Sequence, residues 1–154
     1  MNNEQKLKHN ISLLSIDQQD WSHTMMEWRY SSFFFQKGSV CLCGKRNITK
    51  VCVIKNVKNG NSAEVGNCCV NKFLFITDAN SRFKSLLKIY KNIKSNISKD
   101  LRQELVNTGF ITEDEYHLLS SFDVLFGQRT SDEWKQKIGI NHRILKHYVK
   151  DRVN

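Results

Sequence analysis

All five cysteines of this 154-residue chain lie between Cys41 and Cys69. The first two stand in Cys41-Leu-Cys43-Gly44, a tight turn that points both sulfur atoms toward one place, because glycine lets the backbone reverse without a Cβ clash. Thiolates grouped in this way are typical ligands of zinc, which accepts four of them in a closed tetrahedral site. The odd cysteine count also fits four ligands and one spare thiol better than a complete set of intrachain disulfides.

The remaining ligands must come from a predicted hairpin. Cys52 lies on its first strand, and Cys68 and Cys69 follow its return strand. Consecutive side chains diverge, so one of Cys68 and Cys69 is expected to bind the ion, and Cys69 is preferred. We therefore predict one structural Zn²⁺ per chain, bound by Cys41, Cys43, Cys52 and Cys69. Three alternatives stay open: Cys68 as the fourth ligand, an iron–sulfur cluster on the same thiolates, and buried free cysteines, which are common in Val- and Ile-rich strands.

The elements that would position these thiols begin with the polar N-terminus. Residues 1–10 are expected to form a disordered tail. The helical spacing of Trp21, Met25 and Trp28 predicts an N-terminal helix over 16–30.

The pattern of the cysteine segment predicts a hairpin followed by a helix. The Val- and Ile-rich segment 48–56 predicts a strand, and Asn59-Gly60 predicts a hairpin turn because both residues tolerate positive φ. Residues 62–65 then form the return strand, and 68–75 begin a helix or a helical turn.

The C-terminal half, 81–152, is predicted to be helical. Four helices are expected to begin at residues that can cap them: Ser81, Ser98, Thr112 and Thr130. The second helix is closed by Gly109, and the third runs to about Leu125. The first helix has an apolar face that comprises Phe83, Leu86, Leu87, Tyr90, Ile93 and Ile97. The predicted fold is a single α+β domain, 1–154, in which a zinc-stapled β-hairpin, 41–75, is embedded in a mainly helical chain.

The formal net charge of +9 and the isoelectric point near 9.4 favour an anionic partner, of which nucleic acid is the commonest inside cells. Six cations surround the predicted zinc module and are candidate phosphate contacts: Lys45, Arg46, Lys50, Lys55, Lys58 and Lys72. Such contacts give salt-dependent affinity for DNA or RNA without reading a sequence. The alternative is a protein-interaction module that binds and modulates a host protein or a defence complex. A small-molecule substrate is not expected.

The location of the protein follows from what its sequence lacks. No window of 18 residues is apolar throughout, so no membrane-spanning helix is expected. The polar N-terminus leads into no long apolar segment of the kind found in secretory signals. We therefore expect an intracellular protein, in the cytoplasm of a host cell, whose thiols stay reduced.

Several short motifs follow one another through the cysteine segment: a Cys-x-Cys-Gly turn, an Asn-Gly hairpin, and Val-Gly-polar-x-Cys-Val before an aromatic residue. Here they are Cys41, Cys43, Gly44, Ile54-Lys-Asn56, Asn59-Gly60, Val65-Gly66-Asn67, Cys69-Val70 and Phe73. This combination resembles a recurrent cysteine module in uncharacterised proteins of phages, large DNA viruses and mobile elements. Related chains also carry a Glu-Trp pair before the module, as at Glu27-Trp28, and a charged helix like 134–138. The resemblance implies zinc binding with Cys69 as the last ligand and Cys68 as a variable neighbour, and it supplies no enzymatic activity.

The order of turn, hairpin and helix, with the last ligand at the helix start, is also similar to a treble clef. It departs from that pattern because Cys52 stands alone and the helix carries no Cys-x-x-Cys pair. A catalytic zinc keeps an open position with a Glu or His nearby, whereas residues 41–73 contain one acidic residue, Glu64, and no histidine. We therefore predict no enzymatic activity. The main alternative, a treble-clef nuclease, needs a histidine that this segment lacks.

Overall fold

The chain folds into two compact units in the computed structural model, which describes residues 1–124 and 127–150. Unit 1 comprises Met1–Ala79 together with the chain from Tyr148 onward, and unit 2 comprises Asn80–His147. The single domain expected from the sequence, 1–154, stays a prediction, since compact units of this kind also occur within one domain.

Unit 1 is built on an antiparallel sheet of three strands in the described part of the chain. The strands are β1 (Trp28–Ser39), β2 (Ile48–Asn56) and β3 (Ser62–Gly66), in the order β1-β2-β3. The predicted hairpin is therefore confirmed. Gly60 has a φ of 79° in its turn, and the Asn56 side chain accepts hydrogen bonds from the backbone N–H groups of Lys58 and Asn59.

Three helices accompany this sheet: α1 (Asn3–Leu13), α2 (Trp21–Met26) and α3 (Asn67–Phe73). Residues 1–10, predicted to be disordered, lie mostly in α1. This helix is held by a capping box between Asn2 and Gln5 and by its buried residues Leu7 and Ile11. The polar composition of residues 1–10 predicts a disordered tail, but the burial of Leu7 and of Ile11, one residue further on, attaches the helix to the core.

The predicted helix over 16–30 is wrong for most of its length. Only α2 is helical there, because Trp28 already belongs to β1 and pairs with Asn56 across the sheet. The apolar spacing that suggests a helix instead places Trp28 in the core, where its indole N–H donates to the Ser15 hydroxyl at 2.8 Å. Tertiary strand pairing overrides local helix propensity in this segment.

Glu27 joins three parts of unit 1. Its side chain is fully buried and accepts hydrogen bonds from the backbone N–H groups of Ile16 and Asp17 and from the Asn56 amide. Burial alone would raise the pKa of Glu27, but these hydrogen bonds, with the Lys58 charge, outweigh burial and lower it. The Glu-Trp pair noted in the sequence is therefore a structural anchor between the loop after α1 and the start of the sheet.

Unit 2 is helical, as predicted. Its helices are α4 (Asn80–Lys91), α5 (Lys99–Asn107), α6 (Glu113–Ser121) and α7 (Ser131–Tyr148), the last of which ends on a residue of unit 1. The capping box at Thr112 is confirmed, and Thr130 and Glu133 form the same reciprocal pair before α7. The predicted end of the third helix, Leu125, lies outside the described residues, as do residues 151–152 of the predicted C-terminal half.

One predicted core residue of unit 2 faces outward. Tyr90 is 75% exposed, although the other members of the apolar face of α4 include the buried Phe83 and Leu86. Arg102 is buried and makes a two-pronged contact with Asp123, while its guanidinium also donates to the Ile97 carbonyl.

Across residues 1–124 and 127–150, no helix combines the length and the apolarity that a bilayer crossing requires.

Candidate metal centre

The turn between β1 and β2 holds two thiols in a fixed geometry. Within this knuckle, residues 41–45, the Cys41 N–H donates to the Lys45 carbonyl at 2.9 Å and the Gly44 N–H donates to the Cys41 carbonyl at 2.8 Å. Gly44 has a φ of 92°, a conformation that residues with a Cβ rarely adopt. The sequence prediction of a reversal at this glycine is therefore confirmed.

Backbone N–H groups point at the knuckle sulfur atoms. The Cys41 Sγ accepts from the Cys43 N–H at 3.4 Å and from the Gly66 N–H at 3.2 Å, and the Cys43 Sγ accepts from the Lys45 N–H at 3.4 Å. Such donors stabilise a thiolate more than a thiol. Because Gly66 ends β3, its bond also attaches the knuckle to the hairpin.

Helix α3 brings the third thiol to the same place. It begins at Asn67, directly after β3, so that Cys69 lies in its first turn. The sulfur atoms of Cys41, Cys43 and Cys69 all lie within 4.8 Å of one another. A tetrahedral zinc ion with Zn–S bonds of about 2.3 Å would hold its sulfurs roughly 3.8 Å apart. The three thiols therefore lie close enough together to be ligands of one ion.

The three thiols ionise unequally. Burial raises the pKa of Cys41, and burial together with the neighbouring Cys41 and Cys43 charges raises the pKa of Cys69. Burial also opposes ionisation of Cys43, but hydrogen bonds from the Lys45 N–H and from the thiols of Cys41 and Cys69 outweigh it and lower the pKa of Cys43. A divalent cation supplies the compensating charge that three neighbouring thiolates require.

Cys52 lies outside this group, contrary to the prediction that it is the third ligand. It is fully buried in the middle of β2, between its cross-strand partners Phe33 and Val65. Strand residues alternate between the two faces of a sheet, and the position of Cys52 in the register places its side chain in the core, beside those apolar partners. The alternative interpretation, in which Cys52 is a buried free cysteine of the core, agrees with the structure.

Cys68 is exposed. Its neighbour Cys69 is half-buried and belongs to the cluster of three thiols with Cys41 and Cys43. Consecutive residues of a helix point about 100° apart. The structure therefore brings Cys69 to the knuckle and leaves Cys68 on the outer surface of α3.

Residues of α1 also contact the knuckle, and no local sequence pattern marks them. The Asn10 side chain donates to the Leu42 carbonyl at 2.9 Å across a separation of 32 residues. A cavity of about 470 Å³ lies beside Cys41 and Cys43 and is also lined by Asn10, Lys6 and Glu64. Cys69, the third member of the thiol group, is not among the residues that line this cavity.

The six cations predicted to contact nucleic acid are all exposed, but the structure does not gather them on one surface. Lys45 and Arg46 belong to the knuckle end of the sheet. Lys50 and Lys55 both lie on β2 at an odd offset of five positions, so they face opposite sides of the sheet. The last two lie elsewhere: Lys58 in the hairpin turn at the far end of β2, and Lys72 on α3.

The chain has no match among protein-family models, curated proteins or solved structures.

Proposed function

We propose that Cys41, Cys43 and Cys69 bind one zinc ion that stabilises a treble-clef-like arrangement of knuckle, hairpin and helix, and that the basic surface of this protein binds nucleic acid. The observation that carries the proposal is the meeting of three sulfur atoms from the knuckle and α3 within 4.8 Å. Thiolates at two separate points of the chain are the ligands that zinc uses to join a turn to a helix.

The chemistry of the donor set supports zinc in a structural role. Three thiolates and one Zn²⁺ leave a net negative charge, so the ion is a weak Lewis acid and a poor activator of water. No carboxylate or imidazole belongs to the group within residues 1–124 and 127–150. The three thiols leave the fourth coordination position of a tetrahedral ion to a further donor.

Nucleic acid is the partner that the charge supports. The chain carries 24 Lys and Arg residues against 15 Asp and Glu residues. Lys45 is the last residue of the knuckle and Arg46 directly follows it. A bound zinc ion would restrict the motion of the backbone at these two residues and so limit the positions that their side chains can reach. Cations placed in this way contact phosphates and make affinity fall steeply with salt.

The test is binding of a fluorescein-labelled oligonucleotide, followed by anisotropy over a salt series. We expect the double variant Lys45→Glu, Arg46→Glu to weaken binding and to reduce the slope of log affinity against log salt. The matched control is Lys84→Glu, Lys88→Glu, which makes the same charge change on two exposed lysines of α4 in unit 2 and should weaken binding less. Equal losses in the two variants would show that binding is not centred on the knuckle. No binding by the wild type at low salt would overturn the nucleic-acid part of the proposal.

A further inference from the structure

A second surface of unit 1 has the features of a binding site. A groove of about 500 Å³ lies between the start of β1 and the segment that follows α3. Its lining includes Met25, Met26, Arg29, Tyr30, Phe75 and Ile76. We call it the Phe75 groove. It is lined largely by apolar and aromatic side chains, with charged groups at its border, as ligand sites commonly are.

Phe75 is held at this groove in an unfavourable backbone conformation. Its φ is 55°, in the left-handed region that glycine normally occupies after a helix. The backbone N–H groups of Leu74 and Ile76, on either side of it, both donate to the Val70 carbonyl at 3.2 Å, so the end of α3 imposes this conformation. The left-handed conformation is unfavourable for a residue with a Cβ.

Packing does not offset this cost, since the Phe75 side chain is 73% exposed. A glycine would relieve the backbone strain, and a polar residue would avoid an exposed aromatic ring. Strained residues of this kind are concentrated at functional sites. The position therefore presents an aromatic ring to solvent at the mouth of the groove, at a cost that folding alone does not explain.

The charges around the Phe75 groove favour an anion. Arg29 of β1 and Lys55 of β2 are directly opposite each other in the sheet, and both are exposed. Like charges in this position repel, and an anion near both relieves the repulsion. Lys72 adds a third cation three residues before Phe75, with its ammonium 5.3 Å from the centre of the Phe73 ring. One carboxylate, Asp78, also lines the groove.

We propose that the Phe75 groove binds single-stranded nucleic acid, with one unpaired base stacked on the Phe75 ring and the adjoining phosphates held by Arg29 and Lys55. This inference rests on the proposed nucleic-acid function and assigns the place where a base is held. Exposed aromatic rings beside cations are the usual platform of proteins that bind single strands without sequence preference. A second copy of the chain is a poor occupant, because two molecules of charge +9 repel each other.

The decisive variant is Phe75→Gly, because it removes the ring and also relieves the backbone strain. Binding of a fluorescein-labelled oligothymidylate should weaken about 5- to 100-fold, as expected for loss of one stacked base. The salt slope should not change, since no phosphate contact is lost. The urea midpoint should stay the same or rise, because glycine is favoured at positive φ. Weaker binding therefore could not be attributed to unfolding.

Two control variants separate stacking from other effects. Tyr90→Ala removes an aromatic ring of similar exposure in unit 2 and should leave oligothymidylate binding unchanged. Arg29→Gln should reduce the salt slope by about one phosphate contact, in contrast to Phe75→Gly.

Each failure has a distinct signature. If Phe75→Gly binds oligothymidylate as tightly as the wild type, while Lys45→Glu with Arg46→Glu binds weakly, the groove inference is wrong and the proposed function stands. If the wild type does not bind at low salt, both are overturned. If Phe75→Gly keeps oligonucleotide binding but loses a protein partner, the groove is a protein-docking site and the inference is again wrong.

Discussion

Glu27→Gln is the substitution for which the structure allows the fullest calculation. One carboxylate oxygen accepts from the Ile16 N–H at 2.9 Å and from the Asn56 amide at 2.7 Å, and the other accepts from the Asp17 N–H at 2.8 Å. A glutamine has the same shape but must direct its own NH₂ at one of these donors. The least costly orientation loses the bond to Asp17 and keeps the other two as neutral hydrogen bonds.

The expected loss of stability follows from these contacts. A hydrogen bond to a charged group contributes about 1.5–3 kcal/mol and a neutral one about 1 kcal/mol, so replacing three charged bonds by two neutral ones costs about 2.5–7 kcal/mol at neutral pH. With a urea dependence of about 2 kcal/mol per molar, the unfolding midpoint of unit 1 should fall by about 1–3.5 M. Circular dichroism or tryptophan fluorescence of Trp28, which packs beside this anchor, would measure it.

The pH dependence supplies a second check of the same contacts. The pKa of Glu27 is lowered from its ordinary value of 4.5, so its stabilising effect is complete above that value and is lost as pH falls through the lowered pKa. The difference between wild type and Glu27→Gln should therefore shrink in acid. The control, Glu64→Gln, changes an exposed carboxylate and should alter stability by less than about 0.5 kcal/mol. An equally small change in stability for Glu27→Gln would show that Glu27 does not anchor the loop after α1 to the start of the sheet.

Two further substitutions test other parts of the structure. Gly44→Ala places a Cβ at a φ of 92° in the knuckle, which costs about 1–2 kcal/mol; chelator competition should show zinc affinity falling several-fold, and an unchanged affinity would contradict the strained turn. Arg102→Lys removes the two-pronged contact with Asp123 and should lower stability by about 1–3 kcal/mol in urea. A midpoint equal to that of the wild type would show that this pair contributes nothing.

The features that could be predicted from the sequence are those with local causes. The turn at Asn59-Gly60 forms within a few residues, since Gly60 supplies the positive φ and the nearby Asn56 side chain accepts hydrogen bonds from two of its N–H groups, and the hairpin is present in the structure. Thr112 and Thr130 form their capping boxes with residues three positions away, and both boxes are present. The Cys-x-Cys-Gly turn is local in the same sense, because Gly44 supplies the reversal itself.

The features that were missed depend on distant contacts. The segment before β1 has helical spacing, but Trp28 pairs with Asn56, which follows it by more than twenty residues. Cys52 has the residue type of a ligand, and only the register of β2 between Phe33 and Val65 shows that it lies in the core. Phe75 gives no sequence signal, since its importance arises from its φ and its exposure. A viral or mobile-element origin and a host-protein partner remain predictions from the sequence.

The central claim is that three thiols, and not the four predicted from the sequence, bind zinc. Elemental analysis of the purified, folded protein tests it most directly, together with single variants of the thiols. We expect about one zinc per chain in the wild type, in Cys68→Ser and in Cys52→Ala, and little or none in Cys69→Ser. A zinc-free folded wild type, or a Cys69→Ser variant that keeps its zinc while Cys52→Ala loses it, would contradict the proposed metal centre.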